Sequence, residues 1–230
     1  MTKKYKIVIS KNGPYLVFGN LPLVKEVYNT DDQGNPGTYE TGETLPSLEN
    51  CALCRCGGSA SKPYCDGTHV KNKFDGKETA TNETYLEQAE KISGPNLDLT
   101  DVQSLCAASR FCHRGTWELT EKSDDPESKK KATETACKCS SGRLVAWDKK
   151  TNKPIETKFE PSISLLQDKA SRVSGPIWVK GGIPLESESG VKYETRNRMT
   201  LCRCGKSSNK PFCDGSHLSS GFNDGDKSIN

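Results

Sequence analysis

Two arrangements of three cysteines and one histidine are the residues of this chain best suited to chemistry. Both have the spacing C-x-C-x8-C-x3-H, which puts four donor side chains within sixteen residues. The two sets are Cys54, Cys56, Cys65 and His69, and Cys202, Cys204, Cys213 and His217. Thiolates and imidazole suit zinc, copper(I) and iron–sulfur clusters. The spacing therefore predicts one compact metal or cluster site in each set.

The alternative reading of each set is a structural zinc site. Zinc accepts three cysteines and a histidine, but its cysteine pairs are usually separated by two to four residues, not by one. The chain has only three histidines, and two of them occupy the same place beside a cysteine triplet. This coincidence favours a dedicated site in both sets.

The two sets lie within an internal repeat. Residues 54–69 and 202–217 align without a gap and are identical at eleven of sixteen positions. Upstream, residues 13–23 align with 175–185 and are identical at six of eleven positions. The repeat predicts two structurally related halves.

The repeated segments resemble the CDGSH iron–sulfur domain of the NEET proteins, whose pattern is C-x-C-x2-[ST]-x3-P-x-C-D-G-[SAT]-H. Both copies fit it at every fixed position. The resemblance implies one [2Fe–2S] cluster per copy. It also implies that Cys54 and Cys56 hold one iron while Cys65 and His69 hold the other, and that the second copy is arranged in the same way.

The resemblance also indicates the fold. NEET chains pair as intertwined dimers with a β-cap and a cluster-binding lobe, so two copies in one chain imply an intramolecular pseudo-twofold arrangement. We therefore expect a β-rich α+β protein, with CDGSH halves at 1–76 and 173–230 and an insert at 77–172. Segments such as Lys6–Ile9 and Val191–Thr195 have the β-branched and aromatic character of strands.

The insert is predicted to be small, helical and ferredoxin-like. Residues Glu83–Ile92 suit a helix, and Thr100 with Gln103 has the spacing of a capping box that would begin another.

Four further cysteines fall in the insert and suggest a third centre. Cys106 and Cys112 flank Ser109 with the spacing of a ferredoxin C-x2-C-x2-C run, and the segment from Cys139 to Leu144 is similar to the C-P-S-G-x-L of divergent single-cluster ferredoxin domains. The resemblance implies a [3Fe–4S] or [4Fe–4S] cluster on Cys106, Cys112 and Cys139. Cys137 or His113 would be an extra ligand. A structural zinc and free buried thiols are the alternatives.

Composition excludes several classes of protein. The 33 basic and 30 acidic residues nearly balance, which argues against a general nucleic-acid surface. No apolar run is long enough for a membrane span or for the core of a signal peptide. Eleven cysteines, an odd number, suit metal ligation in a reducing compartment such as the cytoplasm better than a disulfide framework.

The predicted function is electron transfer with a redox partner protein. A histidine ligand removes negative charge from a cluster and raises its reduction potential. The alternative function is pH-labile storage of a cluster, or its transfer to an apoprotein acceptor, because imidazole can be protonated off the metal. A zinc-based interaction module is a further interpretation.

No catalytic triad can form without the cluster histidines, so we expect no enzyme. The oligomeric state stays open.

Overall fold

The computed structural model describes residues 5–229. Within them the chain forms thirteen strands in three sheets and five short helices. The strands are β1 Lys6–Ile9, β2 Tyr15–Phe18, β3 Leu23–Thr30, β4 Pro36–Leu45, β5 Asn50–Leu53, β6 Glu90–Ser93, β7 Leu97–Asp101, β8 Leu144–Asp148, β9 Lys153–Ile155, β10 Ser162–Asp168, β11 Val173–Lys180, β12 Leu185–Ser187 and β13 Arg198–Leu201. The helices are α1 Thr68–Lys71, α2 Tyr85–Gln88, α3 Thr116–Glu121, α4 Pro126–Cys137 and α5 Ser216–Ser219. The protein is β-rich α+β, as expected.

Two of the sheets combine strands from both halves of the chain. One has the order β12-β1-β2-β5, in which β1 runs parallel to β12 and Ile7 lies opposite Leu185. The other has the order β13-β11-β10-β3-β4, in which β3 runs parallel to β10 and Leu23 lies opposite Ile163. Each half therefore supplies an edge of the other half's sheet, although β10 lies in the segment 77–172.

The main hydrophobic core lies between these two sheets. Strand β1 alternates half-buried and buried residues, so Ile7 and Ile9 point inward on one face. They join Val17 from the first half and Ile177 and Leu201 from the second half in one buried cluster. The core is thus shared by the halves and fixes their relative position.

The insert contains the helices α2, α3 and α4, as expected, and also a sheet that the sequence did not predict. Strands β6 to β9 form a four-stranded antiparallel sheet on which α4 packs through Ala132 and Ala136. Helix α4 begins after Asp125, whose carboxylate accepts the Ser128 N–H at 2.8 Å, with Pro126 in the first turn.

Three local expectations also failed. The helix expected over Glu83–Ile92 is only α2, followed at once by β6, and Thr100 lies in β7 instead of capping a helix. Its hydroxyl accepts the Trp147 Nε1–H of β8 at 2.8 Å, so a cross-strand contact uses the group that would have capped. Residues Val191–Thr195 form no strand, because only an isolated bridge joins Lys192 to Glu186. Among the described residues, no helix has the length and apolar character needed to cross a bilayer.

Candidate metal centres

The four predicted ligands of the first set meet as two pairs. The Sγ atoms of Cys54 and Cys56 are 3.8 Å apart. The Sγ of Cys65 lies 3.3 Å from Nδ1 of His69. The two cysteines follow β5 directly, and His69 is carried by α1.

The second set repeats this geometry. The Sγ atoms of Cys202 and Cys204 are 3.7 Å apart, and the Sγ of Cys213 lies 3.4 Å from Nδ1 of His217. Strand β13 leads into the first pair and α5 carries the histidine. All eight side chains predicted from the motif are thus brought into two like arrangements.

The pairwise arrangement tests which metal group the residues fit. Two sulfurs bound tetrahedrally at about 2.3 Å from one metal lie about 3.8 Å apart, which is the separation seen in both cysteine pairs. Among the described residues, no three cysteine, histidine or acidic side chains gather closely enough to hold a single ion. Two donors per metal suit a two-iron cluster, whereas a structural zinc needs four donors around one ion.

Backbone hydrogen bonds hold each loop in shape. The Cys54 N–H donates to the Pro63 carbonyl at 2.7 Å, and the equivalent bond from Cys202 to Pro211 is 2.9 Å. The hydroxyl of Ser59 donates to the Tyr64 carbonyl at 2.7 Å. Ser207 makes the same bond to Phe212. Within each set, the loop that carries the two neighbouring cysteines is thereby tied to the segment that leads to the third cysteine and the histidine.

An aspartate ties the histidine helix to the loop in both sets. The Asp66 carboxylate accepts the N–H groups of Thr68 and Ala60. Asp214 does the same with Ser216 and Ser208. Hydrogen bonding from the Thr68 side chain, together with the Thr68 and Ala60 N–H groups, holds the pKa of Asp66 well below its usual range. The helix N-caps themselves are Gly67 and Gly215, both in the left-handed region, so each aspartate acts one residue earlier than an N-cap.

The two loops touch each other through their first cysteine pairs. Cys56 and Cys204 form an isolated antiparallel bridge. A Cβ atom at Gly57 would lie 2.6 Å from the Cys204 carbonyl oxygen, and one at Gly205 would lie 2.5 Å from that of Cys56. Only glycine permits this approach, which explains why the residue after each second cysteine is glycine.

The second set is covered by other parts of the chain. Tyr15, fully buried on β2, donates its hydroxyl to the carbonyls of Cys202 and Pro211 at 2.9 and 3.0 Å. The N–H groups of Thr79 and Ala80 both donate to the Lys210 carbonyl. The motif gave no signal for any of these contacts, because the covering residues lie outside it.

The insert supplies another part of that cover. A Cβ atom at Gly215 would lie 3.2 Å from the Cβ of Ala108 and 3.5 Å from the Cys106 carbonyl oxygen. A Cβ atom at Gly67, the equivalent position in the first loop, would have no neighbouring atom within 4 Å. The insert therefore packs on the second loop and leaves this face of the first open.

Burial separates the two histidines. His217 is 2% exposed, whereas His69 is half-buried. Burial, helped by the nearby Arg203 guanidinium, lowers the pKa of His217 to about 4. Burial also raises the pKa of the Cys213 thiol well above its usual range. The imidazole of the second set is thus kept neutral, the form that binds metals.

The insert cysteines fall into two groups. Cys112 packs on the cluster that contains Cys139, and burial, with Cys139 and Cys106 nearby, raises its pKa to about 11. Cys137 lies apart, with its thiol donating to the Ile155 carbonyl at 3.4 Å, and His113 is exposed. The structure therefore brings Cys106, Cys112 and Cys139 into one neighbourhood.

A residue of the second half anchors this neighbourhood. Arg198, on β13 and 1% exposed, donates from Nε to the Cys139 carbonyl at 2.8 Å and from Nη2 to those of Ala136 and Leu144. The sequence gave no indication of this role. Because β13 leads directly into Cys202, one strand links the insert cysteines with the second set.

Comparison with known families agrees with these sites. The family described as iron-binding zinc finger, CDGSH type, matches residues 12–70 and 174–218. The family described as divergent 4Fe-4S mono-cluster matches residues 92–149, which lie between them. No curated protein and no solved structure gives a significant match to the chain. The two families together support iron–sulfur binding.

Proposed function

The chain carries two CDGSH-type regions with a divergent single-cluster ferredoxin region between them, and we propose that it is an electron carrier with three iron–sulfur centres. The observation that carries the proposal is a chain of two contacts. The insert touches the second loop at Gly215, and the second loop touches the first through Cys204 and Cys56. Loops in contact would hold their clusters as neighbours, which is the arrangement that an electron relay needs.

Each CDGSH-type region would bind one [2Fe–2S] cluster through three cysteines and a histidine. The two-by-two grouping of the donors supports this assignment. A bound cluster of this type supplies one-electron redox chemistry, and a single imidazole ligand sets its potential between the all-cysteine and two-histidine types. The N–H groups of Gly58 and Lys206 lie 3.4 and 3.5 Å from the Sγ of Cys56 and Cys204, where they would stabilise charge on the sulfur.

We further propose that the two halves are related by a pseudo-twofold axis. The strand orders support it, since β12-β1-β2-β5 and β3-β10-β11-β13 have matching parallel and antiparallel neighbours. The repeat aligns β2 with β11 and β5 with β13. The reciprocal approach of Gly57 and Gly205 to the opposite loop is a further support.

The third centre would be a [3Fe–4S] or [4Fe–4S] cluster held by Cys106, Cys112 and Cys139. Each iron of such a cluster takes one protein thiolate, so its ligands need not crowd around a single ion. Two residues are left out of this proposal. The Cys137 thiol contacts the Ile155 carbonyl, and the His113 side chain is exposed.

We propose a carrier and not an enzyme. Two of the three histidines are assigned as ligands, and the third, His113, lies on the surface. We place the protein in a reducing compartment such as the cytoplasm, because the odd number and the spacing of its eleven cysteines suit metal ligation better than disulfides. The partners would be redox proteins.

Iron, sulfide and zinc analysis of anaerobically purified protein, combined with EPR, tests the proposal. We expect about two irons for each CDGSH-type region and about three or four more for the insert. Cys139→Ala should remove only the insert signal, while its neighbour Cys137→Ala, the matched control, should leave all signals in place. Zinc without sulfide would overturn the proposal.

A second candidate function is transfer of a cluster to an apoprotein. The open surface at Gly67 and the half-buried His69 favour it for the first site alone. Incubation with an apo-ferredoxin distinguishes the two functions. Transfer predicts that the acceptor gains visible absorbance as this protein loses it, whereas an electron carrier keeps its clusters through repeated reduction cycles.

A further inference from the structure

The segment that follows His69 is basic and carries one exposed apolar side chain. Four of its residues, on and after α1, are named the docking face: Val70, Lys71, Lys73 and Lys77. All four residues are exposed, and the Val70 side chain is 71% exposed. It is the most exposed of the three large hydrophobic residues that lie exposed among the described residues.

The second copy has no such face. The positions equivalent to the three lysines are Ser219, Gly221 and Gly225. We compare the 24 residues that begin at the first motif cysteine of each copy. Residues 54–77 contain five basic and two acidic residues, whereas residues 202–225 contain three basic and two acidic residues. The two regions thus share their candidate ligands but differ in surface charge. The more basic region is the first, whose loop is left open by the insert at Gly67.

The acidic neighbours offset this charge only in part. Asp66 and Asp75 accept hydrogen bonds from backbone N–H groups and keep their negative charge, but residues 54–77 contain five basic residues against these two. Over residues 5–229, no ion pair involves Lys71, Lys73 or Lys77. Three lysine charges therefore face solvent within seven residues of an exposed apolar side chain.

We propose that the docking face binds the acidic surface of a partner protein and is where that partner reaches the first site. This inference rests on the proposed electron-carrier function. Charge complementarity identifies the occupant, since an acidic surface is attracted to unpaired lysines and is steered to them before contact. An exposed apolar residue with polar neighbours also suits a protein–protein contact, which usually has an apolar core and a polar rim.

The face selects one of the two CDGSH-type sites for exchange. Tyr15, the 79–80 segment and the insert loop cover the second site, so a partner cannot approach His217 as it can approach His69. The first site is consequently the point of contact, and the second lies between it and the insert.

Zero-length cross-linking of the full, cluster-loaded chain tests the proposal. The probe is an acidic flavodoxin, joined by a water-soluble carbodiimide that forms amide bonds between lysines and carboxylates. Peptide mapping should find the cross-links at Lys71, Lys73 and Lys77, and raising the salt concentration should reduce them. The variant Lys71→Gln/Lys73→Gln/Lys77→Gln should lower both the yield and the rate of electron transfer to the flavodoxin by about tenfold.

The matched control carries the same loss of charge elsewhere. Lys122, Lys150 and Lys158 are exposed lysines of the insert, and their triple change to glutamine should leave yield and rate unchanged. Cross-links that map mainly to the insert, or equal effects of the two triple variants, would overturn the proposal. So would protection of the same lysines by a DNA duplex in place of the flavodoxin.

The two levels of inference fail differently. Cross-links at the docking face without electron transfer would leave the docking surface standing and count against the electron carrier. Electron transfer that continues at full rate in the triple variant would leave the carrier standing and remove the docking surface.

Discussion

The two CDGSH-type regions have nearly the same ligand loop in different surroundings. Eleven of sixteen residues are identical, and the distances within each ligand pair agree within 0.1 Å. Yet His217 is buried and His69 is half-buried. Local sequence therefore builds each set of candidate ligands, whereas segments distant in the chain decide how far each set is open to solvent.

The arginine between the first two cysteines shows the same contrast. Arg203 is buried and paired with Asp224, and it also donates to the carbonyls of Gly175 and Leu166. Arg55 is equally buried, but Gly76 stands where the second copy has Asp224. It donates instead to the Gly76 carbonyl at 2.6 Å and lies over the rings of Tyr15 and Phe74.

Loss of a ligand cysteine should have the largest effect and should differ between the regions. Cys65→Ala and Cys213→Ala should each remove about two irons per chain. Cys213 is buried, so its change should also lower the thermal unfolding temperature further than the change at Cys65. Iron analysis and circular dichroism melting of both variants measure this. Equal melting temperatures would mean that the cover over the second site does not stabilise it.

Removing the carboxylate from Arg203 should have the next largest effect. Asp224→Ala leaves a buried guanidinium unpaired and should cost about 3–5 kcal/mol of unfolding free energy. Arg55→Met removes a buried arginine that has only carbonyl and ring partners, and should cost about 1–3 kcal/mol. Urea unfolding of the anaerobic holoprotein compares them. A larger cost at Arg55 would reverse the contrast drawn between the two arginines.

Iron should leave the two regions at different rates. In the Cys139→Ala background, which lacks the insert centre, a ferrous chelator with a reductant should bleach the visible absorbance in two phases, with the first site faster on the order of tenfold, since it needs less opening of the structure. In that background His69→Cys should alter only the fast phase, and its counterpart His217→Cys only the slow phase. A single phase in the Cys139→Ala protein would show that burial does not limit iron loss.

Two lysines should give small and equal effects. Lys62 and Lys210 donate to the carbonyls of Ser59 and Ser207 at 2.5 and 2.6 Å. Lys62→Met and Lys210→Met should each cost about 1 kcal/mol, because each removes one hydrogen bond of the same geometry. Unequal costs in urea unfolding would show that the surroundings affect even this shared contact.

Sequence reasoning succeeded where the signal was local and failed where partners were distant. The sixteen-residue motif predicted donor side chains that the structure brings together in pairs, and the β-branched residues of Lys6–Ile9 predicted a strand that the structure contains. Thr100 and Gln103 had the spacing of a capping box, but the Thr100 hydroxyl bonds Trp147 on a strand 47 residues away. The expected helix over Glu83–Ile92 gave way to β6, which is stabilised by pairing with β7 and not by its own residues.

The sequence by itself determined the types and spacing of the candidate ligands and the repetition of their motif. Those properties depend on neighbours within sixteen residues, and short-range hydrogen bonds then fix the loop. Only the tertiary structure decided that β1 pairs with β12 and β3 with β10, that the loops meet at Cys56 and Cys204, and that the insert covers the second site. These contacts join residues far apart in the chain, and such pairings arise from burial of a shared core that no local pattern encodes.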